Sequence, residues 1–163
     1  MALRSAYGVR SCERGATAVE FALMLPMFFL ILYAIITYGM IFAAQQNLTL
    51  AATEGARAAL NYRQVGAAAT QQATQQAALA ARATAACTAA TNLTTWLQGA
   101  TCTPTQQGNC TYDASMYCVQ ITLTYPYATR PLIPSFPLLG SLLPVPSTLT
   151  GTAMVQISPV NII

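Results

Sequence analysis

Side chains equipped for chemistry are few in this chain. Its 163 residues hold five cysteines, four acids (Glu13, Glu20, Glu54 and Asp113), seven arginines, no lysine and no histidine. Lack of histidine removes Ser-His-Asp and Cys-His catalysis, His-ligated zinc and the usual neutral-pH proton shuttle. A carboxylate pair would need Glu54 and Asp113 to converge from a helix and a loop. The cysteines Cys87, Cys102, Cys110 and Cys118 are separated by 14, 7 and 7 residues, without the C-x-x-C pair usual in structural zinc sites. The expectation is therefore no enzyme, no catalytic residue, no metal and no cofactor. A net charge of +3, scattered along the chain, gives no basic stripe for a nucleic acid. Two chemistries remain, disulfide formation by the cysteines and ion pairing by Glu20.

Glu20 stands at the edge of a long uncharged run. From Phe21 to Thr53 no formally charged side chain occurs, and residues 21–44 read FALMLPMFFLILYAIITYGMIFAA. These 24 residues, at about 1.5 Å each, reach roughly 36 Å, enough to cross a hydrocarbon layer of about 30 Å with some tilt. A chain this short cannot easily wrap such a helix on every side, so a bilayer is the expected surrounding. Arg4, Arg10 and Arg14 precede the span, and the next arginine is Arg57. The positive-inside bias then keeps the N-terminus cytoplasmic and sends the C-terminal region outward. The run is too long for the apolar core of a secretory signal, and no A-x-A site closely follows it. Pro26 lies inside it, where a helix kink is expected.

An acid at a membrane edge is costly unless a positive group meets it. Were the chain cut after Gly15, Ala16 would become residue one and Glu20 residue five. The new α-amino group would then lie one helical turn from the carboxylate, in a low-dielectric setting. The same pair formed between two copies would fix their axial register. The sequence RGATAVEFALMLP, then an apolar helix, then QNLTLAATEGARAAL, resembles the TadE-like proteins of tight-adherence (Flp-type) pilus systems. The resemblance covers Arg14 to Leu60. Farther on it rests on Tyr125-Pro126 and a last strand, here TGTAMVQIS where the family tends towards TATAVMR.

The resemblance implies a type IV pilin-like protein, or pseudopilin, matured by a prepilin peptidase that cuts after glycine. The processing site would be Gly15 and Ala16, and the assembly and register residues Glu20 and Phe21. Its implied partners are the bilayer, that peptidase and other pilins or pseudopilins. The implied location is the bacterial inner membrane, N-terminus cytoplasmic and C-terminal region periplasmic, with incorporation into an extracellular pilus as a further step. A minor, initiating or tip role is implied, because a major Flp-type pilin is much shorter. An unprocessed single-span binding protein of the envelope is the alternative.

The cysteine count agrees with processing and export. Removing residues 1–15 takes away Cys12 and leaves four cysteines on the oxidising side. Three pairings of four are open. Cys110–Cys118, closing a turn around Asp113-Ala114-Ser115, and Cys87–Cys102, tying a helix end to a loop, are favoured.

The elements that must position these groups follow from pattern. The division is a leader over 1–15, a helix over 16–61 containing the span 21–44, an alanine-rich helix over 67–98 and a disulfide-linked β region over 99–163. Past the span, Leu48, Ala52, Ala56 and Ala59–Leu60 keep helical spacing, and Glu54 can pair with Arg57. The second helix is expected to dock by its later half through Leu79, Leu93, Trp96 and Leu97. Residues 99–116 read as loop. Tyr117 to Tyr125 alternates as a half-buried strand, and Leu149 to Ile157 supplies another. Pro126, Pro131, Pro134, Pro137 and Pro144 break the apolar stretch between them, which reads as a loop laid on the sheet or offered to a partner. The fold class is α+β, a pilin-like single-pass membrane protein with a long N-terminal helix, a second helix and a small antiparallel sheet.

Overall fold

The structure is a computed structural model describing residues 13–61, 65–66, 68–134 and 143–161. Most of the expected leader, residues 1–12 with Cys12, lies outside the described residues. The chain divides into two compact units, Met1–Gly39 and Met40–Ile163. Helix α1, Glu13–Ala58, contributes to both and continues through Pro26, whose ring nitrogen cannot donate to the carbonyl one turn back.

In the first unit α1 is apolar all round. Phe21, Leu23, Met24, Met27, Phe28 and Phe29 are all exposed, Leu23 at 74%. A helix with large apolar side chains on every face has no solvated side, and this is the pattern of a helix surrounded by lipid. It is the one helix among the described residues long and apolar enough to cross a membrane.

In the second unit α1 becomes one-sided. Ala44, Leu48, Ala51, Ala52, Ala56 and Ala59 are buried, at the three- and four-residue spacing of a single face. Leu60, expected in that stripe, is exposed, because the helix ends at Ala58 and the face no longer continues. Helix α2, Gln71–Leu93, begins at Thr70, whose Oγ1 accepts from the Ala73 amide at 3.2 Å. That cap satisfies one of the free N–H groups of the first turn. Ala78, Leu79, Ala83, Ala86 and Ala90 form its buried face. Contrary to the expected docking residues, Leu93 and Trp96 are exposed, whereas Leu79 and Leu97 are buried.

Three strands complete the fold: β1 Thr101–Asn109, β2 Tyr117–Tyr125 and β3 Leu149–Ile157, antiparallel in the order β1-β2-β3. The alternation in β2 turns Val119, Ile121, Leu123 and Tyr125 towards the helices. Fully burying a Leu or Ile contributes about 1.5–3 kcal/mol, and Leu48, Leu97, Ile121 and Leu123 are all below 2% exposed. Strand β1 corrects the loop expected over 99–116. Among the described residues it has a strand partner on one side only, a bulge between Pro104 and Gln106, and β-branched Thr101, Thr103 and Thr105 in its first half. An edge strand tolerates proline and needs no apolar alternation, so its sequence resembles a loop.

Two glycines set the spacing of these layers. A Cβ on Gly55 would stand 2.7 Å from both the Ala86 carbonyl oxygen and Ile121 Cδ1, so α1 and α2 meet nearly backbone to backbone. A Cβ on Gly151 would lie 2.5 Å from the Leu48 carbonyl carbon and oxygen, so β3 lies directly on α1. Gln45 adds a hydrogen bond there, its Nε2 donating to the Thr150 carbonyl at 2.6 Å.

Candidate processing and assembly site

Gly15, Ala16, Glu20 and Phe21 all fall within α1, in the first unit. The helix separates residues 16 and 20 by about 6 Å along its axis, a little over one turn. A backbone amine created at Ala16 would therefore be within side-chain reach of the Glu20 carboxylate, on the same side of the helix. Glu20 and Phe21 are exposed. The site is a single acid followed directly by apolar surface, carried on α1.

Other charged groups among the described residues have partners of their own. Arg57 Nη1 donates to Glu54 Oε1 at 2.9 Å on the exposed side of α1, an i,i+3 pair of a few tenths of a kcal/mol. Asp113 Oδ1 accepts from the Ser115 hydroxyl at 2.6 Å and the Ser115 amide at 2.9 Å. The hydroxyl bond, then the amide bond, holds its carboxyl below the usual value of 3.8. Arg82, on the alanine-rich α2, is only 2% exposed. Its Nη1 points to the Ala59 carbonyl at 3.5 Å, placing positive charge at the C-terminal end of α1, where the helix dipole favours it.

The structure joins Cys87 to Cys102, with Cα atoms 5.5 Å apart, and Cys110 to Cys118, at 4.9 Å. These are the two pairs favoured from the sequence, one closing a turn and one tying a helix end to the segment that follows. The first ties α2 to β1, and the second closes the turn between β1 and β2, where Asn109 Nδ2 also donates to the Ala114 carbonyl. A shallow groove of about 520 Å³ runs beside Ala58 along Ala81, Thr84, Ala85, Thr88 and Ala89 of α2. A smaller cavity of about 110 Å³ lies between the first turns of α2 and the sheet, lined by glutamines and Tyr117.

Gly15, Glu20 and the apolar helix thus occupy one continuous element that runs on to Gly55 and the packed core. Residues 15–57 match the family model of the TadE-like proteins. No curated protein and no solved structure matches the chain. The TadE-like segment begins at the glycine of the expected cut and ends one residue short of the end of α1. It covers Gly15, Ala16, Glu20, Phe21 and Pro26, and leaves α2, the sheet and all four bridged cysteines outside. The match suggests a protein associated with Tad-type pili. Sequence reasoning missed Gly55 and Gly151 as contact points. Gly55 had a signal in the small-residue spacing Ala52, Gly55, Ala56, Ala59, which mirrors the small face of α2.

Proposed function

We propose that this protein is a minor pilin or pseudopilin of a tight-adherence-type pilus. It inserts in the bacterial inner membrane with its N-terminus cytoplasmic and its C-terminal head periplasmic. A prepilin peptidase cuts after Gly15, and the shortened chain takes part in assembly or priming of the pilus. Its role is assembly through helix packing rather than catalysis. The observation that carries this reading is that the TadE-like match starts at Gly15 and runs through Glu20 into a helix apolar on every face.

The physical logic is that of an uncompensated charge. Glu20 enters the membrane edge beside Phe21, and the amine of Ala16 neutralises it within one chain or across two. At about 6 Å and an effective dielectric of about 20 the attraction is roughly 3 kcal/mol. Across two copies, that attraction favours one axial offset among the many that a uniformly apolar helix would accept.

Glu20→Ala leaves insertion and trimming intact and lowers the amount of this protein recovered in sheared pili or in crosslinks to sister subunits. Gly15→Leu crowds the peptidase pocket and leaves the longer, slower-migrating chain. Wild-type recovery of Glu20→Ala would contradict the register role. Identical mobility of wild type and Gly15→Leu would contradict processing, and would leave the single-span anchored binding protein.

A further inference from the structure

The end of the head nearest the membrane-spanning run can be located from contacts within the second unit. Ile41 and Ala44 belong to the apolar run by sequence, yet both pack in the head core. Gln45 reaches Thr150, and the Leu48 backbone touches Gly151. The start of β3 and its partners Thr124 and Tyr125 in β2 therefore sit at the level where the run ends. Helix α2 is antiparallel to α1: Gly55 lies against Ala86 and Ala90, and Ala59 against Arg82. Following α2 past Ala90 brings Leu93 and Trp96 to that same level.

Other bonds gather more of the chain there. Arg130 Nη1 donates to the Gln98 carbonyl at 3.1 Å, just past Trp96, and the Tyr125 hydroxyl donates to the Arg130 carbonyl at 2.6 Å. The Ala128 amide donates to the Ser147 carbonyl at 2.9 Å, so both described arms of the proline-rich connection leave from this end. The exposed groups are amphipathic: Trp96 at 46%, Leu93 at 45% and Val145 at 43%, with Arg130, also exposed, bonded two residues past Trp96. From Leu93 onward the only formally charged side chains in the sequence are Arg130 and Asp113, and Asp113 lies beyond the opposite end of the β1–β2 pair. Phe21 to Met40 is 20 residues, about 30 Å of helix and one hydrocarbon thickness.

We propose that this end of the head rests on the lipid surface through which its own helix emerges, with Trp96, Leu93 and Val145 in the headgroup layer and Arg130 on lipid phosphate. The proposal rests on the membrane-inserted reading above. Tryptophan favours the membrane–water interface because one part of its ring system is apolar and its N–H is polar. A guanidinium pairs with phosphate through several donors, and a single bond to Gln98 leaves others for lipid. Ile41 and Ala44, the last turn of the apolar run, pack in the same unit as this surface, so lipid that reaches the end of the run reaches this end of the head. The consequence is a head held at a fixed height and tilt before assembly.

Trp96 is the only tryptophan, so emission excited at the red edge, where the eight tyrosines do not absorb, reports on it alone. The full chain is reconstituted into vesicles of phosphatidylcholine and phosphatidylglycerol in equal parts, and flotation confirms insertion. The expected result is strong quenching by phosphatidylcholine brominated near the headgroup and weak quenching by aqueous iodide. Arg130→Gln lowers the ratio of lipid-contacting to free heads about fivefold in these vesicles, the effect of one basic group at an anionic surface. Arg130→Lys largely retains the contact. A floating protein whose Trp96 is quenched by iodide and not by bromolipid would overturn the proposal. So would shielding that follows the protein-to-lipid ratio, which would mean a second copy covers the surface. Failure to float overturns the membrane-inserted reading itself.

Discussion

Strand β3 meets the α1 backbone at Gly151, and replacing that glycine by alanine tests the contact directly. The added Cβ would sit 2.5 Å from the Leu48 carbonyl carbon and oxygen and 2.9 Å from the Thr49 amide nitrogen. All three are backbone atoms, so no side chain can swing aside. Restoring ordinary contact requires α1 and β3 to part by roughly 1 Å, and a gap of that size forfeits a quarter to a half of each lost dispersion contact. The Gln45–Thr150 hydrogen bond, at 2.6 Å, stretches with it. Overpacking of this kind costs about 3 kcal/mol, the upper part of its usual range. Removing a glycine from a strand returns somewhat under 1 kcal/mol. The net loss is about 2 kcal/mol, which lowers the melting temperature of a head this size by roughly 8 °C. The assay is thermal unfolding of the full chain in detergent, followed by near-ultraviolet circular dichroism. Gly66→Ala is the control, because nothing lies within 4 Å of its added Cβ. A Gly151→Ala protein that melts at or above the wild-type temperature would refute the packing argument.

Two further predictions concern the head. Cys87→Ser with Cys102→Ser removes a cross-link over 15 residues and lowers stability by about 3 kcal/mol, read by urea unfolding; an unchanged midpoint would show that the cross-link adds no stability. The Asp113 carboxyl titrates below 3.8, so its hold on Ser115 is complete above that value and is lost as pH falls through the lower folded-state value. The Ser115 amide resonance therefore shifts only on acidification below the ordinary carboxylate range, and a midpoint above 3.8 would contradict the two Ser115 bonds.

The parts legible in the sequence are those in which one element alone determines the pattern. Helix α1 follows from the missing charges between Phe21 and Thr53, and β2 from the alternation of Val119, Ile121, Leu123 and Tyr125. Strand β1 was hidden because it is held by one neighbour, so threonine, glutamine and proline suffice where a central strand would need apolar residues. Arg82 was hidden for a tertiary reason: it is buried by meeting the end of α1, 23 residues earlier in the chain. Trp96 and Leu93 look like core residues by type, but they fall past the last buried turn of α2. Gly151 is one residue in a strand, and nothing local announces a helix lying across it. At the candidate site the position of Glu20 five residues after Gly15 was fully readable, because the spacing itself is the signal.

The N-terminus of the protein purified from its native membrane tests the central claim most directly. Edman degradation or intact-mass measurement should find Ala16 as the first residue, with Glu20 as the fifth. A chain still beginning at Met1 or Ala2 would contradict the account, for no new amine would then exist to meet the carboxylate.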